Sequence, residues 1–268
     1  MEILIGIIIF LSGLCFGSFI NMLVYRTAVN YKLENKKFKV KGEKRSFCDF
    51  CGRSLKWYEN IPIFSWLLQK GKTRCCHKKL PVFYPVVELV MGVLFLILNS
   101  KYNLFSDFFV SFGLLNSLRL IFGILIMVLL VFSTVFDLKY MVLPDFSTVI
   151  LIIIAFLGVV FDESNIIPYL LSALIASGFL LILNIFTKGN GMGMGDVKLA
   201  VFMGLFLGYP KIIVAFYVAF IVGAIFGLIL MIFKKANKKS QIPFGPFMVL
   251  GIFVAWWWGE KIVELIRL

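Results

Sequence analysis

The chain has 268 residues, of which 61% are hydrophobic, 16% are aromatic and only 15% are charged. An ordinary soluble domain is about 45–50% apolar, and it could not bury this much apolar surface behind its own exterior. The formal net charge is +13, so the first question in so apolar a chain is where the lysines and arginines lie. The composition excludes a soluble enzyme or a secreted disulfide scaffold, and it predicts an all-α integral membrane protein.

Apolar segments of membrane-spanning character occur eight times along the sequence, and we predict a transmembrane helix in each. In chain order the predicted helices cover residues 3–25, 81–99, 114–136, 146–161, 166–187, 199–209, 212–233 and 244–259. The fourth and sixth are short for a hydrocarbon core about 30 Å thick, at about 1.5 Å of rise per residue. The chain therefore divides into a first transmembrane helix (1–25), a cysteine-containing loop domain (26–80) and a polytopic membrane domain (81–268).

The basic residues predict the orientation of these helices. The loop domain 26–80 holds 15 of the 27 lysines and arginines, and the positive-inside rule therefore places it in the cytoplasm. Eight crossings then leave 22 basic residues inside and 5 outside or at the boundary, with both termini outside. Because orientation accounts for the charge, we expect contact with anionic lipid headgroups and no nucleic-acid partner.

Two acidic residues lie beside the predicted spans. Asp137 ends the third span and Asp196 opens the sixth, and the predicted topology puts both on the cytoplasmic side. A charged residue at mid-membrane costs about 2.5–3.5 kcal/mol even on the lenient insertion scale, so such residues are usually functional. The alternative is that the glycine-rich segment 191–195 is a flexible cytoplasmic turn and that both aspartates are interfacial.

Two carboxylates that meet in a wet cleft share one proton. One can then act as the base that activates a water molecule, while the other donates a proton to a carbonyl oxygen. This is aspartic-protease chemistry, and it requires no metal ion. Gly191, Gly193 and Gly195 alternate with methionine before Asp196, which would let a substrate backbone approach closely.

Five segments, in this order along the chain, resemble the signature of the bacterial type IV prepilin peptidases. They are Gly17–Asn21 with Arg26, Tyr84–Glu88, Asp137 with Pro144-Asp145, Gly193-Met194-Gly195-Asp196, and Pro243–Phe247. The fourth segment is similar to the GxGD motif of intramembrane aspartyl proteases, and the third to the motif of its partner aspartate.

The resemblance implies an enzyme of the bacterial inner membrane that cleaves the short basic leader of type IV prepilin or pseudopilin precursors at the cytoplasmic face. It implies Asp137 and Asp196 as the catalytic pair, with Asp145 in a supporting role. We expect Gly193, Gly195 and Asp145 to contact the substrate. The resemblance further implies methylation of the new N-terminus with S-adenosylmethionine as the methyl donor.

The loop domain contains four cysteines, Cys48, Cys51, Cys75 and Cys76, with His77 beside the last. Paired cysteines in a reducing compartment indicate zinc before a disulfide, and a metal could stabilise a loop too small for a robust core. The fold class predicted is therefore about eight transmembrane helices with a zinc-binding cytoplasmic insertion after the first.

The bifunctional members of the family carry C-x₂-C-x₂₁-C-x₂-C in this loop. Counted from Cys51, the fourth ligand falls on Cys76, but the third falls on Thr73, so Cys75 or His77 must substitute. We predict a site of Cys48, Cys51, Cys76 and Cys75. The alternative is two free thiol pairs in a flexible loop.

Three other functions remain open from the sequence. A transporter could use the two aspartates as a proton relay. A membrane scaffold could recruit assembly proteins through the zinc loop. A peptidase of the same family could lack methylation.

Overall fold

The computed structural model describes residues 2–34, 46–48, 50–102, 114–161, 165–189, 191–233 and 242–266. These residues form nine α-helices, a single 3₁₀ turn (Trp57–Asn60) and two isolated β-bridges. The helices are α1 (Glu2–Asn30), α2 (Phe64–Leu68), α3 (Phe83–Tyr102), α4 (Leu114–Tyr140), α5 (Asp145–Phe161), α6 (Ile166–Phe186), α7 (Met194–Leu207), α8 (Lys211–Ile232) and α9 (Gly245–Ile266). The prediction of an all-α protein is confirmed.

Each of the eight predicted transmembrane segments coincides with one helix, α1 or α3 to α9. Among the described residues, five helices are long and apolar enough to cross a membrane, namely α1, α3, α4, α6 and α8. Helix α5, with 17 residues, and α7, with 14, are as short as the sequence predicts. The chain is a multi-pass membrane protein.

Among the helix ends that differ from their predicted positions are those at the two aspartates. Helix α4 continues to Tyr140, because the backbone carbonyl of Asp137 accepts the N–H of Met141, whose φ of +55° ends the helix. Helix α7 begins at Met194, because Gly193 is extended and caps it. Both predicted site aspartates therefore lie within the terminal turns of their helices.

The described chain divides into an N-terminal unit (Met1–Phe132) and a C-terminal unit (Ser133–Leu268). In the N-terminal unit, α1 packs closely against α3. A β-carbon on Gly17 would lie 2.5 Å from the Cα of Glu88, and one on Gly13 would lie 2.8 Å from the Cα of Gly92. Glycines four residues apart on one face allow this close backbone approach.

The C-terminal unit is built around α7. The side chains of Leu199, Ala200, Phe202 and Met203 are completely buried, with contacts to α5, α6 and α9. A β-carbon on Gly204 would overlap the backbone of Ala173 in α6. Neighbouring helices of this unit therefore cover α7 on several sides.

Some of the residues used in the sequence predictions lie outside the described part of the chain. They are residues 35–45 and 49 of the predicted loop domain and the lysines between 234 and 239, which were counted as cytoplasmic charges in the predicted orientation.

Candidate active site and metal centre

Asp137 occupies the last turn of α4 and is buried, with 5% of its surface exposed. Its Oδ2 accepts a hydrogen bond of 2.9 Å from the backbone N–H of Gly245, the first residue of α9. A β-carbon on Gly245 would lie 2.6 Å from that same oxygen. The end of α4 and the start of α9 therefore fix the carboxylate, and only glycine fits at position 245 without a shift.

Asp196 lies in the first turn of α7 and is 7% exposed. Its Oδ2 accepts a hydrogen bond of 3.0 Å from the backbone N–H of Gly193. A carboxylate in the first turn satisfies one of the orphan N–H groups there and suits the positive end of the helix dipole. The glycine turn itself is held because the Asn184 side chain donates to the carbonyl of Met192.

The structure brings the two aspartates together, although about sixty residues separate them in the sequence. They lie close enough for their charges to interact. Leu143 links their surroundings: a β-carbon on Gly195 would lie 2.7 Å from the Cβ of Leu143, and one on Gly245 would lie 3.4 Å from its Cδ2.

Each of these carboxylates keeps one oxygen unused. The described residues donate hydrogen bonds only to Oδ2 of Asp137 and to Oδ2 of Asp196. Two aspartates that lie close together, each with one oxygen that accepts no hydrogen bond from the described residues, form an arrangement that suits general acid–base hydrolysis.

Asp145, the third predicted residue of this region, has different surroundings from Asp137 and Asp196. Its side chain is 66% exposed, and its Oδ1 forms a 2.7 Å ion pair with Nζ of Lys198. This pair joins the first turn of α5 to the first turns of α7.

Polar side chains that the sequence reasoning missed support the helix that carries Asp137. The hydroxyls of Ser133 and Ser147 are 3.0 Å apart and completely buried, and Ser147 also donates to the carbonyl of Pro144. Thr148, equally buried, donates to the carbonyl of Asp145. Ser133 lies one turn before Asp137 in an otherwise apolar span. The sequence could have indicated its contact with another polar group, because buried hydroxyls in a membrane need partners.

The four predicted cysteine ligands lie in the N-terminal unit, and their sulfur atoms all lie within 4.8 Å of one another. The Sγ–Sγ distances are 3.8 Å for Cys48 and Cys76, 3.3 Å for Cys51 and Cys75, and 4.0 Å for the neighbours Cys75 and Cys76. A tetrahedral zinc ion with bonds of about 2.3 Å sets its sulfur ligands about 3.8 Å apart. The cluster could hold a metal ion, and its dimensions fit zinc.

Thr73 stands at the third ligand position of the family pattern and takes a different role. Its hydroxyl lies 3.0 Å from Sγ of Cys76 and lowers the pKa of that thiol to about 7, whereas burial raises the pKa of Cys75 to about 12. His77 turns away, with Nδ1 3.3 Å from the carbonyl of Thr73. Cys75, and not His77, therefore completes the cluster.

Comparisons with known proteins identify the family of the chain. The bacterial peptidase A24 N-terminal domain matches residues 11–102, and the type IV leader peptidase family matches residues 123–228, which include both aspartates. The chain belongs to the type IV leader peptidase family.

Curated relatives of similar length support this membership. A prepilin leader peptidase/N-methyltransferase of Xanthomonas campestris pv. campestris is 32% identical over 223 residues, which cover 80% of this chain and 72% of the relative. The proteins of that name from Bacillus subtilis and Vibrio cholerae are each 29% identical, over 96% and 95% of this chain and 96% and 97% of their own. No solved structure matches the chain.

Proposed function

We propose that this chain is a prepilin leader peptidase and N-methyltransferase, in which Asp137 and Asp196 cleave the leader of type IV prepilin or pseudopilin precursors. The observation that carries the proposal is the pair of buried aspartates, which lie close enough for their charges to interact. Family membership and the names of the relatives support the same substrate class.

The chemistry of cleavage follows from the two carboxylates. An ionised aspartate takes a proton from a water molecule, whose oxygen attacks the scissile carbonyl carbon, while the protonated aspartate donates to the carbonyl oxygen. Transfer of a proton to the leaving amine then breaks the C–N bond. The glycine N–H groups at 193 and 245 hold the two carboxylates in place.

The membrane setting of the proposal rests on the positions of the charges. The basic loop domain supports an orientation with the aspartates on the cytoplasmic side of a bacterial inner membrane, both termini outside and lysines near anionic headgroups. The substrate would present its leader at that surface while its own apolar helix stays in the lipid.

The cofactors of the proposal have separate roles. Zinc on Cys48, Cys51, Cys75 and Cys76 would stabilise the loop domain, and proteolysis would need no metal. S-adenosylmethionine supplies an electrophilic methyl group for the new N-terminus.

Co-expression with a prepilin substrate and mass spectrometry of the product test this function, because leader loss and an added methyl group are read separately. Asp137→Asn and Asp196→Asn keep an oxygen for the glycine N–H groups but remove the acid–base pair. We expect each to abolish leader loss while membrane insertion stays normal, with Glu264→Gln, an exposed carboxylate on α9, as the control. Processing that survives in either variant contradicts the assignment, and a solute flux without a peptide product would favour the transporter.

A further inference from the structure

Asn184 lies two residues before the end of α6, a helix that has no other amide and no charged side chain. Asparagine is a poor helix former, and a polar side chain in an apolar span usually binds a partner. The side-chain amide of Asn184 donates a hydrogen bond to the backbone carbonyl of Met192, in the turn between α6 and α7. This bond connects α6 to the segment that carries Asp196, four residues further along the chain.

The carbonyl that Asn184 binds and the N–H that binds Asp196 belong to one peptide group, between Met192 and Gly193. Oδ2 of Asp196 accepts a hydrogen bond of 3.0 Å from the N–H of Gly193. The peptide is trans, so its carbonyl and its N–H point in opposite directions within one plane, and a bond to either orients both. Asn184 therefore acts on Asp196 through a single peptide, and polarisation along such a chain strengthens the bond to the carboxylate.

This peptide has to be held, because the glycines around it resist rotation only weakly. Gly191 and Gly193 have no β-carbon and adopt positive φ about as readily as negative φ. Gly193 has a φ of −78°. A flip of the Met192–Gly193 peptide would carry that angle to a positive value and turn a carbonyl oxygen, instead of an N–H, toward the carboxylate of Asp196. The bond to Asn184 opposes the flip, because the inverted carbonyl would lose its donor.

The backbone of Asn184 holds the other half of the same turn. Its carbonyl oxygen accepts the N–H of Gly189 at 2.9 Å, and the hydroxyl of Thr187 donates to it at 3.3 Å. A β-carbon on Gly191 would lie 2.8 Å from Cγ2 of Thr187, so the turn contacts the end of α6. Asn184 is therefore attached to the turn at two points, which fixes its amide relative to the peptide that it binds.

We propose that Asn184 is a positioning residue for Asp196: its amide holds the Met192–Gly193 peptide in the orientation that binds the carboxylate. The proposal rests on the role of Asp196 in the proposed function. During leader cleavage Asn184 touches neither the substrate nor a transferred proton. It keeps Oδ2 of Asp196 on the N–H of Gly193, so that the carboxylate meets the attacking water in one orientation.

The peptide itself gives a readout that does not depend on activity. Labelling of methionine carbonyl carbons with ¹³C and of glycine nitrogens with ¹⁵N selects the Met–Gly peptides of the full-length protein for NMR in nanodiscs. The sequence contains four such peptides, which begin at Met91, Met192, Met194 and Met203. Gly193→Ala identifies the signal of Gly193, because it removes that signal. We expect this signal to move in Asp196→Asn, which alters its acceptor, and in Asn184→Leu, which removes the donor on the same peptide.

Cleavage of a prepilin in the same preparations measures the consequence for catalysis. Leucine is favoured in membrane helices, so Asn184→Leu should insert normally. We expect it to lower kcat about tenfold, the fold-change that corresponds to one lost hydrogen bond, and to change KM less than about twofold. Asn184→Gln keeps an amide donor and should restore most of kcat and return the Gly193 signal toward its wild-type position. Ser177→Ala is the matched control, because that hydroxyl binds carbonyls of its own helix, and it should change neither.

The outcomes separate positioning from packing. An unchanged Gly193 signal in Asn184→Leu, wild-type kcat in that variant, or a kcat of Asn184→Gln as low as that of Asn184→Leu would overturn the proposal. A lower unfolding temperature with the Gly193 signal in place would also overturn it, because the role would then be structural only. If Asp196→Asn still cleaves the leader, the proposed function fails. If Asp196→Asn is inactive and Asn184→Leu is fully active, only the positioning role fails.

Discussion

The two candidate sites of this chain are assembled in opposite ways. The four cysteines come from a stretch of fewer than thirty residues, and short turns bring their sulfur atoms together. The two aspartates come from helices far apart in sequence, and backbone N–H groups of glycines fix their carboxylates. A metal would hold the first site, whereas helix packing holds the second.

This difference determines which substitutions each site tolerates. The cysteine site depends on ligand chemistry, so loss of one thiol should remove the metal whatever the backbone does. The aspartate site depends on sub-ångström backbone geometry, so a single added methyl group should disturb it. The predictions below test these two dependences.

The largest effect is expected from Cys48→Ser. Cys48 is 3% exposed, and structural zinc in small domains supplies about 10–16 kcal/mol of binding free energy, which is also folding free energy. We expect the metal content measured by elemental analysis to fall from one zinc per chain to nearly none, and the loop domain to become sensitive to protease. Cys15→Ser, on α1 outside the cluster, should keep its zinc, and a Cys48→Ser protein with full zinc content would exclude the tetrathiolate site.

Gly245→Ala is the corresponding test of the aspartate site. The added β-carbon would lie 2.6 Å from Oδ2 of Asp137 and must displace the carboxylate or α9. A misplacement of this size costs about 100-fold in rate, and we expect that loss in kcat for leader cleavage. Gly158→Ala is the matched control, because a β-carbon there has nothing within 4 Å. Wild-type kcat in the Gly245 variant would contradict the role of this glycine.

The transmembrane segments, the two acidic residues beside them and the cysteine pairs could be predicted from the sequence, because each is a local property of the chain. It identified Asp137 and Asp196 but not the N–H groups of Gly193 and Gly245 that hold them, since those contacts form only on packing. Ligand spacing left the choice between Cys75 and His77 open. The turn that points His77 back to Thr73 decides it, and this turn follows from a positive φ of 58° that no spacing rule gives.

Gly17→Ala tests the packing of the N-terminal unit. The new β-carbon would lie 2.5 Å from the Cα of Glu88, which is backbone and cannot rotate away. Overpacking of this kind costs about 1–3 kcal/mol, so we expect a lower unfolding temperature in detergent. Gly6→Ala on the same helix meets nothing within 4 Å and should leave the unfolding temperature unchanged or slightly raised. Equal stability of the two variants would show that α1 and α3 do not pack as described.

The smallest effect is expected from Asp145→Asn, because the ion pair of Asp145 with Lys198 is exposed and such pairs contribute about 0.2–1 kcal/mol. If Asp145 contacts the substrate without taking part in proton transfer, KM for the prepilin should rise by up to about fivefold while kcat stays unchanged. Glu260→Gln breaks the equally short and exposed ion pair with Lys211 and should change neither constant. A loss of kcat as complete as that expected for Asp137→Asn would instead place Asp145 in the proton chemistry, because a solvent-screened ion pair is too weak to produce it.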